Sequence, residues 1–227
     1  MNKKVMVISP HHDDEVIGCG GSICLQKSMG NEVTVVFFAS GWSGIPWLSD
    51  KKEAVAVIQK EAAEAGKILG VDKIIELNFQ DRSFPNPETV VASLISTLRA
   101  VRPNIVYIPN INDGDSEHRF VNSVAQEALW ISSSDYFPEL GNKASAAELI
   151  LGYEVWRPME IYQLSVDITK FISLKESAMA IYNSQLQQKN WCDAMLGLNR
   201  FRGVVSGKGD YVEVFQVIKV NHKLLNL

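Results

Sequence analysis

Cysteine is scarce in this chain: three residues among 227, at Cys19, Cys24 and Cys192. An odd number without zinc-type spacing excludes a disulfide framework and a thiolate metal site. Free thiols in a reducing cytoplasm are the expectation. Long apolar runs are also missing. The stretch after Lys3 and Lys4 meets Pro10 and a charged cluster within a few positions, so it is too short for the centre of a signal peptide. No segment approaches the length of a membrane-spanning helix. Positive charge is not in excess: 22 Lys and Arg against 26 Asp and Glu give a net charge of −4. That argues against a nucleic-acid partner, because such binders carry a basic face. Repeats and low-complexity tracts are absent. Histidine is rare, with four residues, yet two of the four are adjacent.

What is present is ordinary in bulk, with 46% hydrophobic and 21% charged residues. A chain of this length buries a full core without a metal staple, so a metal here is expected to be catalytic. The exceptional segment is Pro10-His11-His12-Asp13-Asp14-Glu15, directly after the apolar stretch Val5 to Ile8 and ahead of Gly18, Gly20 and Gly21. Crowded ionisable groups at the end of a buried strand are costly unless something neutralises them. A divalent cation is the simplest partner.

The remaining pattern alternates. Val5–Ile8, Val33–Ala39, Ile74–Leu77 and Ile105–Ile108 read as strands. Glu15–Met29, Lys51–Leu69, Pro87–Val101 and Arg119–Ile131 read as helices, with Gly30, Gly70 and Pro87 as punctuation. Such alternation predicts an α/β fold with a doubly wound, mostly parallel sheet and right-handed crossovers. The ligand site then lies beyond the carboxyl ends of the strands. The His11 cluster, the Gly41 loop, the Asp81 segment and the Asp113–His118 segment should all gather there. After about residue 133 the pattern changes. Leu149–Val155, Glu160–Val166 and Tyr211–Val220 read as strands, and Lys170–Gln185 and Gln188–Asn199 as helices. This part is expected to be a smaller C-terminal extension, 133–227, that packs on the 1–132 core and walls the pocket.

His11 and Asp14 are three residues apart on a strand-to-helix turn, and His118 supplies a third donor from the end of the fourth strand. Two histidines, one carboxylate and an open position form the pattern of a catalytic zinc site, and the same set accepts Fe(II). Asp13, between the ligands in sequence, is the natural general base.

Each of these residues also has an ordinary alternative. His11 would serve as a helix cap, His118 as a surface residue, and Asp13 or Asp14 as an N-cap. Glu15 reads as a first-turn acid favoured by the helix dipole. The glycines have the wrong spacing for a dinucleotide fingerprint and suit close helix packing. Asp81-Arg82 is a turn or a substrate contact. Trp42, Trp47 and Trp191 are stacking platforms for a ligand or packing residues. Arg200 and Arg202 bind an anionic group or are solvated.

Pro10-His11-His12-Asp13-Asp14-Glu15 with Gly20-Gly21 resembles the Pro-His-x-Asp-Asp-Glu signature of the LmbE/PIG-L family of zinc-dependent de-N-acetylases. Other segments agree in the same order: Glu61-Ala62, Phe79-Gln80-Asp81, Glu117-His118-Arg119, Lys175 with Tyr182, Ser184 and Gln185, and Tyr211-x-Glu213-x-Phe215. The resemblance implies a Rossmann-like three-layer α/β/α fold, with zinc on His11, Asp14 and His118 and Asp13 as base. The implied reaction is removal of an acetyl group from an N-acetylglucosamine-type amino-sugar conjugate, by a chain that forms homo-oligomers.

Three positions depart from the family pattern. Asp115 stands where members often carry a histidine thought to stabilise the oxyanion or relay a proton. Glu117 replaces an aspartate, and Ile58 an arginine. Candidates for the second catalytic acid are therefore Asp115, His12 and His222. Hydrolysis of another amide or ester on the same scaffold, and a non-catalytic binding module, are the alternatives.

Overall fold

The computed structural model describes residues 2–221. The chain runs β1 (Lys4–Ser9), α1 (Asp14–Ser28), β2 (Glu32–Ala39), α2 (Lys51–Leu69), β3 (Lys73–Phe79), α3 (Pro87–Val101), β4 (Ile105–Pro109), α4 (Ser116–Ser132) and β5 (Leu149–Tyr153). It continues through β6 (Leu164–Asp167), α5 (Ile172–Ile181), α6 (Asn183–Leu186), α7 (Trp191–Ser206) and β7 (Val212–Val220). The strands form one seven-stranded sheet in the order β3-β2-β1-β4-β5-β7-β6. β1 to β5 are parallel, and β7 is antiparallel to both β5 and β6.

Period-two alternation assigns the strand residues to two cores. Val5, Val7, Val33, Val35 and Phe37 pack with α1, α2, α5 and α7 on one face. Met6, Ile8, Val36 and Phe38 pack with α3 and α4 on the other. The result is the expected three-layer α/β/α fold with a mostly parallel sheet. Both faces of β1 and β4 are covered, which is why these strands read as continuous apolar runs. The order reverses at β1: β2 and β3 lie on one side, β4 and β5 on the other. Loops leaving β1 and β4 therefore diverge and open a crevice at their carboxyl ends.

Helix signals in the sequence hold where the cap chemistry is strong. Asp50 accepts the Lys52 N–H at 2.8 Å, and Gly70 closes α2 at φ 79°. Asn86 caps α3 with Pro87 in its first turn. Helix α1 packs tightly because Gly18 lies beneath the Tyr153 ring, where a Cβ would sit 2.2 Å from the ring edge. It is also interrupted: Cys19 leaves helical geometry at φ −150°. The Gly21 and Ser22 N–H groups beyond the interruption donate to the Glu213 carboxylate of β7, each at 2.8 Å. Lys175 of α5, fully buried, bonds Glu213 at 2.6 Å and the Ile17 carbonyl at 2.9 Å.

The C-terminal third differs from the sequence reading in three ways. Its strands extend the same sheet rather than forming a separate layer. The helix expected over 170–185 is broken at Tyr182 (ψ 56°) into α5 and α6. The strand expected from Glu160 begins only at Leu164, as an edge strand paired with β7 alone. Among the described residues no helix is long and apolar enough to cross a membrane.

Candidate metal centre and cleft

The turn after β1 and the start of α4 bring His11, Asp14 and His118 together. His11 Nδ1 lies 3.1 Å from His118 Nε2 and 3.3 Å from Asp14 Oδ2, and His118 Nε2 lies 3.1 Å from the same oxygen. Four-coordinate zinc with ligands at about 2.0–2.2 Å separates neighbouring donors by about 3.3–3.6 Å; six-coordination at the same lengths gives about 2.8–3.1 Å. The observed triangle falls across these ranges. The far ring nitrogens face carboxylates: His11 Nε2 meets Glu117 Oε2 at 2.7 Å, and His118 Nδ1 faces Asp113 Oδ1 at 3.3 Å. Such partners fix the orientation of a metal-binding imidazole and raise its basicity. Donor chemistry, spacing and outer partners all fit a divalent cation.

The electrostatics of the cluster agree. Burial pushes the His11 imidazole down, but Asp14 and Glu117 outweigh it and raise its pKa to about 10. Burial likewise opposes the charged form of His118, and Asp14 and Asp113 bring it to about 9. Burial pushes the Asp14 carboxyl up, yet the two histidines hold it well below the ordinary value. The triad is thus built to hold positive charge.

Asp13 occupies the N-cap position of α1, but its side chain makes no capping bond. Its carboxylate is therefore not spent on the helix. Burial, followed by the charges of Asp14 and Glu15, raises its pKa well above the ordinary value. The backbone at Asp13 is unusual, at φ 113° and ψ −29°, a strained region for any residue other than glycine.

Beside the triad is a cleft of about 190 Å³ lined by His11, His12, Asp13 and Asp14, by Gly41, Ser43 and Gly44, by Asp81 and Arg82, and by Trp156, Gln185, Gln188, Lys189 and Trp191. Asp81 holds the loop: it accepts from the Ser40 hydroxyl and the Gly41 and Ser43 N–H groups at 2.8–2.9 Å. Gly41 is required there, at φ 84° and with its missing Cβ 2.7 Å from Ile58 and 2.9 Å from His12.

The second-acid candidates fare differently. His12 is buried, stacked on Phe37 at 4.3 Å and bonded through Nε2 to Glu76 at 3.0 Å. Asp115 caps α4 through the Glu117 N–H at 2.8 Å and grips Arg82 through both oxygens at 2.8 and 3.0 Å. His222 lies outside the described residues.

Of the tryptophans weighed from sequence, Trp191 lines the cleft, and Trp42 and Trp47 do not. Arg200 pairs with Asp210 at the surface. Arg202 is neither solvated nor in the cleft: it is buried against Glu154. Trp156, Gln188 and Lys189 carry no motif that marks them. Trp156 is placed by its backbone N–H, which donates to Asp113 Oδ2 at 3.1 Å.

Comparison with known proteins bears on this arrangement directly. The model of the PIG-L family, GlcNAc-PI de-N-acetylase, matches residues 6–129. The chain is similar to the diacetylchitobiose deacetylase of Thermococcus kodakarensis, with 28% identity over 83% of this chain and 72% of that protein. The solved N,N'-diacetylchitobiose deacetylase of Pyrococcus horikoshii superposes with a TM-score of 0.86 at 30% identity, covering 95% of this chain and 84% of the other. The 4-carboxy-2-hydroxymuconate hydratase of Pseudomonas putida shares the fold at a TM-score of 0.83 and 21% identity, over 96% and 97% of the two chains. The family match spans more than half of the sequence and includes every member of the His11, Asp13, Asp14 and His118 cluster, and so the chain belongs to the PIG-L (GlcNAc-PI de-N-acetylase) family.

Proposed function

We propose that the protein is a metal-dependent hydrolase that removes the acetyl group from an N-acetylated amino-sugar conjugate. In this reading His11, Asp14 and His118 hold the cation and Asp13 is the base. The observation that carries it is the donor triangle, with a carboxylate behind each histidine and an uncapped Asp13 carboxylate beside it in the cleft. Zinc is the expected ion for two imidazoles and one carboxylate, and Fe(II) suits the same set.

A divalent cation bound there supplies Lewis acidity, polarising an amide carbonyl and making water acidic near neutral pH. Asp13 takes the proton from the attacking water, its carboxyl being poised to hold a proton by burial and by its acidic neighbours. The same carboxyl then returns the proton to the departing amine nitrogen. Asp115 is committed to Arg82 and His12 Nε2 to Glu76, and in this reading Asp13 serves both steps. The cleft is smaller than the roughly 300–1,000 Å³ of pockets that enclose a drug-sized ligand. It therefore suits the reacting sugar, with the rest of the conjugate outside. Residues beyond 133 supply the far wall through Trp156, Gln185, Gln188, Lys189 and Trp191.

Unpaired thiols at Cys19, Cys24 and Cys192 support a cytoplasmic setting. The exposed Phe201, Val204 and Val205 of α7 support self-association.

The second reading, a different reaction on the same scaffold, is favoured by Asp115 at a position where a histidine is usual. The test is release of free amine from N,N'-diacetylchitobiose by the zinc- or Fe(II)-loaded protein. Turnover that falls about 10²–10⁴-fold in Asp13→Asn supports the reading. A metal-loaded protein that hydrolyses no N-acetylated sugar sends the assignment to the second reading.

A further inference from the structure

The backbone of Asp13 needs an explanation of its own. An N-cap residue ordinarily adopts extended geometry and folds its side chain onto the helix. Asp13 does neither, at φ 113° and with no capping bond. Its carbonyl accepts the Val16 and Ile17 N–H groups at 2.9 Å, as any helix start does. The special contact is on the other side of the residue: the Asp13 N–H donates to Glu15 Oε2 at 3.0 Å.

Glu15 is buried and is not a member of the metal triad. Its second oxygen, Oε1, accepts the Tyr182 hydroxyl at 2.6 Å. Tyr182 has no exposed surface and stands at the break between α5 and α6, where the helical path is abandoned. The sequence therefore interrupts a helix 167 residues away at the residue that reaches Glu15.

We infer that Glu15 and Tyr182 are positioning residues for Asp13: Tyr182 fixes the Glu15 carboxylate, and Glu15 holds the strained backbone that aims the Asp13 side chain into the cleft. The inference rests on the reading of Asp13 as base. Neither residue lines the cleft, so their effect is on the orientation of the base and not on substrate contact. Misplacement of a reacting group by about 1 Å can cost about 10²-fold in rate.

The experiment compares Tyr182→Phe, Glu15→Ala and Glu15→Gln in metal-loaded protein, with kcat and KM measured on N,N'-diacetylchitobiose. Expected is a fall in kcat of about 10-fold for Tyr182→Phe and about 10²-fold for Glu15→Ala, with KM within about two-fold and metal content unchanged. Glu15→Gln restores most of the loss, because its amide offers an acceptor to the Asp13 N–H and a donor to Tyr182. Unchanged kcat in Tyr182→Phe and Glu15→Ala, alongside an inactive Asp13→Asn, overturns the inference alone. Full activity in Asp13→Asn overturns the reading of the base and the inference with it.

A second measurement needs no turnover. Glycine accepts φ 113° without strain, so Tyr182→Phe should lower Tm less in an Asp13→Gly background than in the wild type. Strictly additive shifts in that cycle overturn the inference.

Discussion

Single residues around the cleft divide into those that face it and those that hold others in place, and Asp81 does both. Its carboxylate accepts three bonds from the Ser40–Ser43 loop while also lining the cleft. Burial disfavours its charge, but the loop N–H and hydroxyl groups outweigh burial and depress the pKa below the ordinary 3.8. A carboxyl whose folded pKa lies below its unfolded one contributes stability above the unfolded value, and loses it as pH falls through the folded one. Wild-type protein should therefore lose stability below about pH 4 more steeply than Asp81→Asn does. At pH 7 the variant should be about 1–3 kcal/mol less stable. Urea unfolding at the two pH values checks both statements; parallel pH profiles would remove Asp81 from this role.

Legibility at this scale depended on whether function and sequence neighbourhood coincide. His11, Asp13 and Asp14 are crowded into one turn, so their chemistry could be read directly. His118 needed the expectation that β1 and β4 end at the same crevice. Trp156, Gln188 and Lys189 reach the cleft through tertiary placement alone, and nothing in their local sequence distinguishes them from surface residues. Glu15 and Tyr182 are joined by a bond between residues 167 positions apart, invisible to any local pattern.

At the scale of elements, propensity and caps set α2 and α3 almost alone, and their bounds follow from Asp50, Gly70, Asn86 and Pro87. α1 and α5 do not behave this way. The interruption at Cys19 and the break at Tyr182 answer to partners elsewhere in the fold, and a helical period carries no sign of either. The interrupted α1 depends on the Lys175–Glu213 pair, both members of which are buried. Removing one partner of a buried pair leaves the other charge uncompensated, at a cost of about 3–5 kcal/mol. Lys175→Met should show that loss as a lowered urea midpoint with an unchanged m-value, whereas a loss below about 1 kcal/mol would mean that Glu213 finds another partner.

For the molecule as a whole, the parallel half of the sheet was legible because βα alternation admits few topologies. The placement of β7 between β5 and β6 was not, because antiparallel pairing between distant strands leaves no local trace. Neither core contains His11, Asp14 or His118, so metal removal should spare the fold while lowering its stability. A ligand present at about 100 times its Kd adds about 2.7 kcal/mol. For a domain of 150–250 residues that corresponds to a Tm higher by about 5–10 °C. Chelation should remove this increment together with amine release, leave the far-ultraviolet circular dichroism unchanged, and be reversed by zinc. A Tm indifferent to chelator would argue against a bound cation.

The Glu213 contact also bears on how the chain comes to be folded as it is made. The helix that carries the cleft's acidic cluster is synthesised well ahead of its partner strand: two of its N–H groups find their acceptor 191 and 192 positions later. Until β7 leaves the ribosome, the interruption in α1 has no carboxylate to complete it and Lys175 has no counter-ion. A nascent chain can assemble β1 to β4 before β7 exists, but the segment bearing His11, Asp13 and Asp14 is secured only once β7 has been made.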